Sequence, residues 1–276
     1  MLGDEDSYMP VSDDFLTAGL KITGHFEDSD DPLAAVSGNF DGMGISLGVL
    51  QWNIGSNSLQ PIVKTLGKAA VTSTMPRFGE DLWRACNTTV AEGLAIVRAW
   101  QPNNKLRKAV FNELKSCVRS QPFQDQQLKA ARRVGNTAWA TAVDWAQKQG
   151  RETATKREFC WFYDVFTQNG GLKSLTLKKV RDFTENHGAD SADELICDWL
   201  AARADDGRGA IDSRKNAKLW RDVVPQPKLF LFVASFLRTA EANPQWQSDV
   251  MKRKGAIAIG VGWVHKEKHD LTSITG

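Results

Sequence analysis

"NFDGMGISLGVLQWNIG", Asn39 to Gly55, is the stretch on which the reading of this chain turns. It sets one carboxylate, Asp41, between Asn39-Phe40 and Gly42-Met43-Gly44, and a half-apolar run follows. Asp-Gly is a favoured dipeptide for a tight hairpin turn. The flanks "LAAVSGNF" and "ISLGVLQWN" are then strands, which predicts β structure over 33–54. Gly42 and Gly44 let the backbone turn beside a ligand where side chains would obstruct it, and Gly48 lets the strand approach closely. Regular alternation puts 47, 49 and 51 on one face and 46, 48 and 50 on the other. Ser46 and Gln51 therefore share a face only if the strand bulges or twists at Gly48.

Upstream, "SDDFLTAGLKITGHFE" (12–27) reads as an amphipathic helix. Ser12 caps it, and Asp13 and Asp14 suit its positive N-terminal end. Leu16, Leu20, Thr23 and Glu27 fall at i, i+4, i+7 and i+11, so Glu27 leaves the inward edge at the last turn. "DSDDP" then breaks the helix. Downstream, Ser58 is expected to cap a helix carrying Leu59, Ile62, Val63 and Leu66. Further helices are predicted at 89–100, 105–119, 123–149, 155–169, 175–186, 191–204 and 227–242, with a capping box from Ser191 and Glu194. "FCWFYDVF" (159–166) and "LFLFVASFL" (229–237) are apolar nearly all round and should be central. Gly170-Gly171 ends the first of them. The tail "GAIAIGVGWVH" reads more as strand or loop than helix. The expected fold is mainly α, an α+β arrangement in one domain over 1–276. It would have a helix and hairpin at 12–66, a helical lobe at 80–276, and a cleft between two lobes.

Composition narrows the function. The chain has 276 residues, 42% of them hydrophobic, enough for a substantial core. A net charge of +2 argues against a dedicated nucleic-acid binder. The basic runs at 132–133, 178–179, 214–215 and 252–254 read singly as solvated helix faces. Ten Trp against two Tyr supply large flat apolar surfaces, mostly for the core, with some suited to stacking on sugar rings. The four Cys, at 86, 117, 160 and 197, form no Cys-x-x-Cys and no zinc spacing. Cys160 reads as a buried thiol. The start "MLGDEDSYMP" has no secretion-signal pattern, and no apolar run is long enough to cross a membrane. The expectation is a monomer made in the cytoplasm, with no cofactor or metal. If it acts in the periplasm or on the cell wall, other machinery must deliver it; it could also be a domain of a longer chain.

Two carboxylates in unlike surroundings, Glu27 at a half-buried helix end and Asp41 at a solvated turn, are what acid/base glycoside hydrolysis uses. Ser46, five residues after Asp41, could hold a water between them. Among 33 acidic residues such a spacing is common, and by itself it favours a helix-end charge and a turn residue. "EDSDD" (27–31) fails the EF-hand pattern, because Leu33 and Asn39 stand where Gly and Glu are required. "DDGRG" (205–209) reads as a loop. His25 reads as a surface residue, and His265 and His269 are not on a convincing helix for a metal pair.

A helix ending in Glu, a "DGxGxSxG" hairpin and a capped helix together resemble the lysozyme superfamily of glycoside hydrolases. "DGMGISLG" (41–48) is similar to the Asp-Gly-x-Gly-x-Thr-x-Gly segment of bacterial chitosanases. That resemblance implies Glu27 as general acid, Asp41 as base, and Ser46 in place of the water-positioning Thr. "SLGVLQWN" is similar to a strand of goose-type lysozymes and lytic transglycosylases. It implies that Gln51, with Trp52 and Asn53 beside it, meets substrate; core packing is the other reading of Trp52. "FYDVFTQNGG" (162–171) resembles the buried helix of the same group, placing Asp164, Gln168 and Asn169 along the sugar site. The alternative for Asp164 is a structural ion pair.

The resemblance covers about 12–66 strongly and 121–171 more weakly. The Glu-to-Asp gap is shorter than in chitosanases, and the chain lacks the acidic balance suited to a polycationic substrate. Peptidoglycan, with its anionic peptide stems, fits better. The implied activity is a muramidase cutting the N-acetylmuramic acid–N-acetylglucosamine linkage, as in phage lysis or exported antibacterial toxins. A toxin would bring an immunity protein as partner. The alternatives are a chitosanase or chitinase and a non-catalytic cell-wall-binding protein.

Overall fold

The structure is a computed structural model and describes residues 10–26, 32–39, 42–203, 210–221 and 226–276. Glu27, Asp41 and the motifs at 27–31 and 205–209 lie outside the described residues. The described fold is mainly α-helical, with a three-stranded antiparallel sheet in the N-terminal part and a two-stranded hairpin near the C-terminus. The chain divides into two compact units, Thr23–Arg133 and Met1–Ile22 with Val134–Gly276.

In the unit Thr23–Arg133 the sheet is made of three two-residue strands, β1 Val36–Ser37, β2 Ser46–Leu47 and β3 Trp52–Asn53. Val36 pairs with Leu47, and Leu47 with Trp52. The β structure expected over 33–54 is thus much shorter, and "ISLGVLQWN" is two strands rather than one. The break falls at Gly48, whose φ of 75° reverses the chain, and Gln51 is left-handed as well at 53°. A residue pattern that alternates for nine positions cannot reveal a turn that a distant side chain fixes.

The helices Leu59–Leu66, Val90–Arg98 and Lys108–Arg119 lie where the apolar spacing placed them. Lys68–Thr74 and Gly79–Cys86 are additional. Ser58 does not cap its helix through its side chain; its hydroxyl instead accepts from the Asn53 N–H at 2.9 Å. The Val90–Arg98 helix has a reciprocal capping box between Thr89 and Glu92.

The other unit is organised by Lys156–Gln168, whose residues Phe159 to Val165 are all buried. Thr155 and Glu158 cap it reciprocally. Its C-terminus closes where the left-handed Gly171 donates to the Val165 carbonyl at 3.2 Å. Gln226–Ala240 is the second buried helix, and Trp161 Nε1 donates to Ser235 Oγ in it at 2.8 Å. Here the all-round apolar character of both segments did mark central helices.

Two expectations need correction. The helix Ala189–Ala202 starts two residues before Ser191, so Ser191 and Glu194 form no capping box. "GAIAI" belongs to the helix Gln247–Ile259, and only Val261–Val264 and Glu267–Asp270 are strands. The β-branched Ile257 and Ile259 are tolerated in that helix because their burial outweighs propensity. Five of the ten Trp are buried, and Trp246 alone among them is exposed. All four Cys are buried and none is in a disulfide. Among the described residues no helix is long and apolar enough to cross a membrane, and no His, Cys, Asp or Glu cluster could hold a metal ion.

Candidate functional site

In the unit Thr23–Arg133, the residues on either side of position 41 are tied down from outside the turn. Asn39 Oδ1 accepts from the Gly44 N–H at 2.8 Å. Gln101, only 5% exposed, accepts from the Asn39 N–H through Oε1 at 2.8 Å and donates through Nε2 to the Gly44 carbonyl at 2.9 Å. Arg98 Nη2 donates to the Gly42 carbonyl at 3.0 Å. Burying an amide against two backbone groups of the turn removes alternative turn geometries, since any other geometry leaves polar groups unmet.

The second turn of the sheet is fixed in the same way. Gln127 is fully buried; it accepts from the Val49 N–H at 3.0 Å and donates to the Leu33 carbonyl at 2.8 Å. A Cβ on Gly48 would collide with the Gln127 carbonyl oxygen and with Trp52. Gln101 and Gln127 organise this region, and nothing in their sequence neighbourhoods marked them. Their partners lie 57 to 94 residues away.

Ser46 is buried at 2% exposure, in register with Ser37 and Asn53. Gln51 Oε1 accepts from Ser37 Oγ at 2.9 Å. Asn53 uses its carbonyl oxygen for the Ser56 N–H at 2.8 Å and its amide NH₂ for the Gln51 carbonyl at 3.2 Å. Trp52 is 8% exposed and packs on Gly48, as a core residue does. In this structure Gln51 and Asn53 shape the turn. The face shared by Ser46 and Gln51 is not a matter of strand parity, because the strand ends at Leu47.

In the other unit Asp164 is completely buried. It accepts from Arg253 Nε at 3.0 Å and Nη2 at 2.7 Å, and from the buried Lys254 ammonium. Burial alone would raise the Asp164 carboxyl, but Arg253 and Lys254 more than reverse this and hold it below the usual carboxylate range. Burial pulls Lys254 down to about 8, with Asp164 opposing. The ion-pair reading of Asp164 thus describes its contacts. Gln168 and Asn169 line an adjoining cavity of about 480 Å³ together with Arg253 and Lys254. The sequence-derived residues therefore fall into two groups: Ser46, Gln51, Trp52 and Asn53 in one unit, and Asp164, Gln168 and Asn169 in the other.

No family model, curated protein or solved structure matches the chain.

Proposed function

We propose that this protein is a lysozyme-like glycoside hydrolase that cleaves peptidoglycan between N-acetylmuramic acid and N-acetylglucosamine, with Glu27 as general acid and Asp41 as base. The observation that carries the reading is the clamp on the backbone at Asn39 and Gly44, either side of Asp41, by the buried Gln101. A base must be held to a fraction of an ångström to be useful, and rigid support outside the site is how proteins achieve that. The resemblance of "DGMGISLG" to a catalytic hairpin supplies the roles. Ser46 follows as the positioning hydroxyl. The lack of acidic excess favours peptidoglycan over chitosan.

The test is digestion of purified peptidoglycan and of chitosan by wild type, Glu27→Gln and Asp41→Asn, with products identified by mass spectrometry. Reducing muropeptides ending in N-acetylmuramic acid, made by wild type and reduced at least 10²-fold in each variant, are the expected result. Anhydro ends would replace the base mechanism with a transglycosylase one. Cleavage of chitosan alone would install the chitosanase reading. No product from either polymer would remove the enzyme.

A further inference from the structure

The 480 Å³ cavity beside Asp164 carries chemistry that an ion-pair network does not need. Its wall holds four cations, Lys173, Arg238, Arg253 and Lys254. Asp164 is shared between the last two. Of the two carboxylates on the wall, Asp249 pairs with Lys252 at 2.8 Å, and Glu241 accepts from Ser174 Oγ while its charge acts on Arg238. Arg238 is 2% exposed. It donates through Nε to the Gly171 carbonyl at 2.9 Å and through Nη2 to the Asn169 carbonyl at 2.6 Å. Its Nη1 is buried and has no acceptor among the described residues. Asn169 Oδ1, on the same wall, is buried with no donor among the described residues. A buried guanidinium whose hydrogen-bond partners are only carbonyl groups, with one nitrogen unmet and with Glu241 offsetting its burial only in part, is a costly arrangement that a further anion relieves. Above this polar floor stands Trp246, 49% exposed, a flat apolar surface that the fold leaves uncovered.

We propose that this cavity is a subsite for an anionic amidated saccharide. The cations receive a carboxylate, Asn169 receives an amide N–H, and Trp246 packs against the sugar ring. A muramic acid unit bearing its peptide stem has that combination, so the inference rests on the peptidoglycan reading and names which part of the polymer is recognised. A bare anion would use the cations but neither Asn169 nor Trp246. A neutral chito-oligomer would lack the charge.

The test is calorimetric titration of the full chain with N-acetylmuramyl-L-alanyl-D-isoglutamine, with N,N′-diacetylchitobiose and with inorganic phosphate, on wild type, Trp246→Ala and Lys173→Gln. Both substituted side chains are exposed, so the variants should keep the wild-type melting profile. The muramyl dipeptide should bind at least about tenfold tighter than the neutral disaccharide, and each variant should lose about threefold or more. Arg238→Lys, which cannot reproduce the planar fork, should lose more than either. Equal binding of the charged and neutral sugars would overturn the subsite, as would binding unchanged in all three variants. Phosphate competing as strongly as the muramyl dipeptide would also overturn it, leaving only a general anion hole. Because the readout is binding, a chain that binds the muramyl dipeptide but digests nothing would lose its catalytic assignment and keep this one. A chain that digests peptidoglycan without this selectivity would do the reverse.

Discussion

Asp164 shows how much a single buried charge can demand of its surroundings. With no solvent exposure it depends on Arg253 and Lys254 for every favourable interaction its charge has. Asp164→Ala should therefore cost about 3–5 kcal/mol in denaturant unfolding, because two cations are left without their shared anion. The pH dependence has a definite sign. The folded-state pKa of Asp164 lies below the ordinary 3.8, so its contribution is complete above the unfolded value and disappears as pH falls through the folded one. The stability gap between wild type and Asp164→Ala should shrink as pH falls below about 4. A gap that kept its size at pH 2 would mean that the carboxylate charge is not what the variant removes.

At the scale of elements, the short sheet depends on glutamines that belong to helices or adjoin them. Gln101→Leu deprives the Asn39 N–H and the Gly44 carbonyl of partners, and should cost about 1–3 kcal/mol. If the turn carries the catalytic base, peptidoglycan cleavage should fall further than the loss of folded protein explains, and should remain low at temperatures where the variant is fully folded. Cleavage that tracked the folded fraction would reduce Gln101 to a structural residue. Gly48→Ala imposes a left-handed φ on a residue with a Cβ and drives that Cβ into Gln127. It should cost about 1–3 kcal/mol, measurable as a lowered unfolding midpoint.

At the scale of the molecule, stability comes from burial and polar satisfaction rather than covalent cross-links. All four cysteines are buried thiols outside any disulfide, and burial pushes the Cys86 and Cys160 thiols up to about 12. Thiolate is the reactive form, so iodoacetamide at pH 8 should modify none of the four in the folded protein and all four after denaturation. The melting temperature should not change with added reductant. Rapid alkylation of the native protein, or a melting temperature lowered by reductant, would contradict this arrangement. The modest net charge of +2 sets no strong long-range field.

The sequence by itself determined the elements whose information is local. Apolar spacing located the helix Asp13–His25, which stops short of the expected end at position 27, and those at 59–66, 108–119 and 156–168, and the composition of 159–166 and 229–237 marked them as buried. Gly42 and Gly44 announced a turn, and both adopt a positive φ that few other residues tolerate. Tertiary structure alone decided what depends on distant partners. It split "ISLGVLQWN" at Gly48 through Gln127, took Ser58 away from its helix cap, and turned Gln51 and Asn53 inward to shape a loop. It also paired Asp164 with residues 89 and 90 positions away and gathered Lys173, Arg238 and Trp246 around one cavity. Periodicity records which way a side chain faces. It carries no record of the polar partner that side chain will meet across the fold, and those partners give this protein its candidate chemistry.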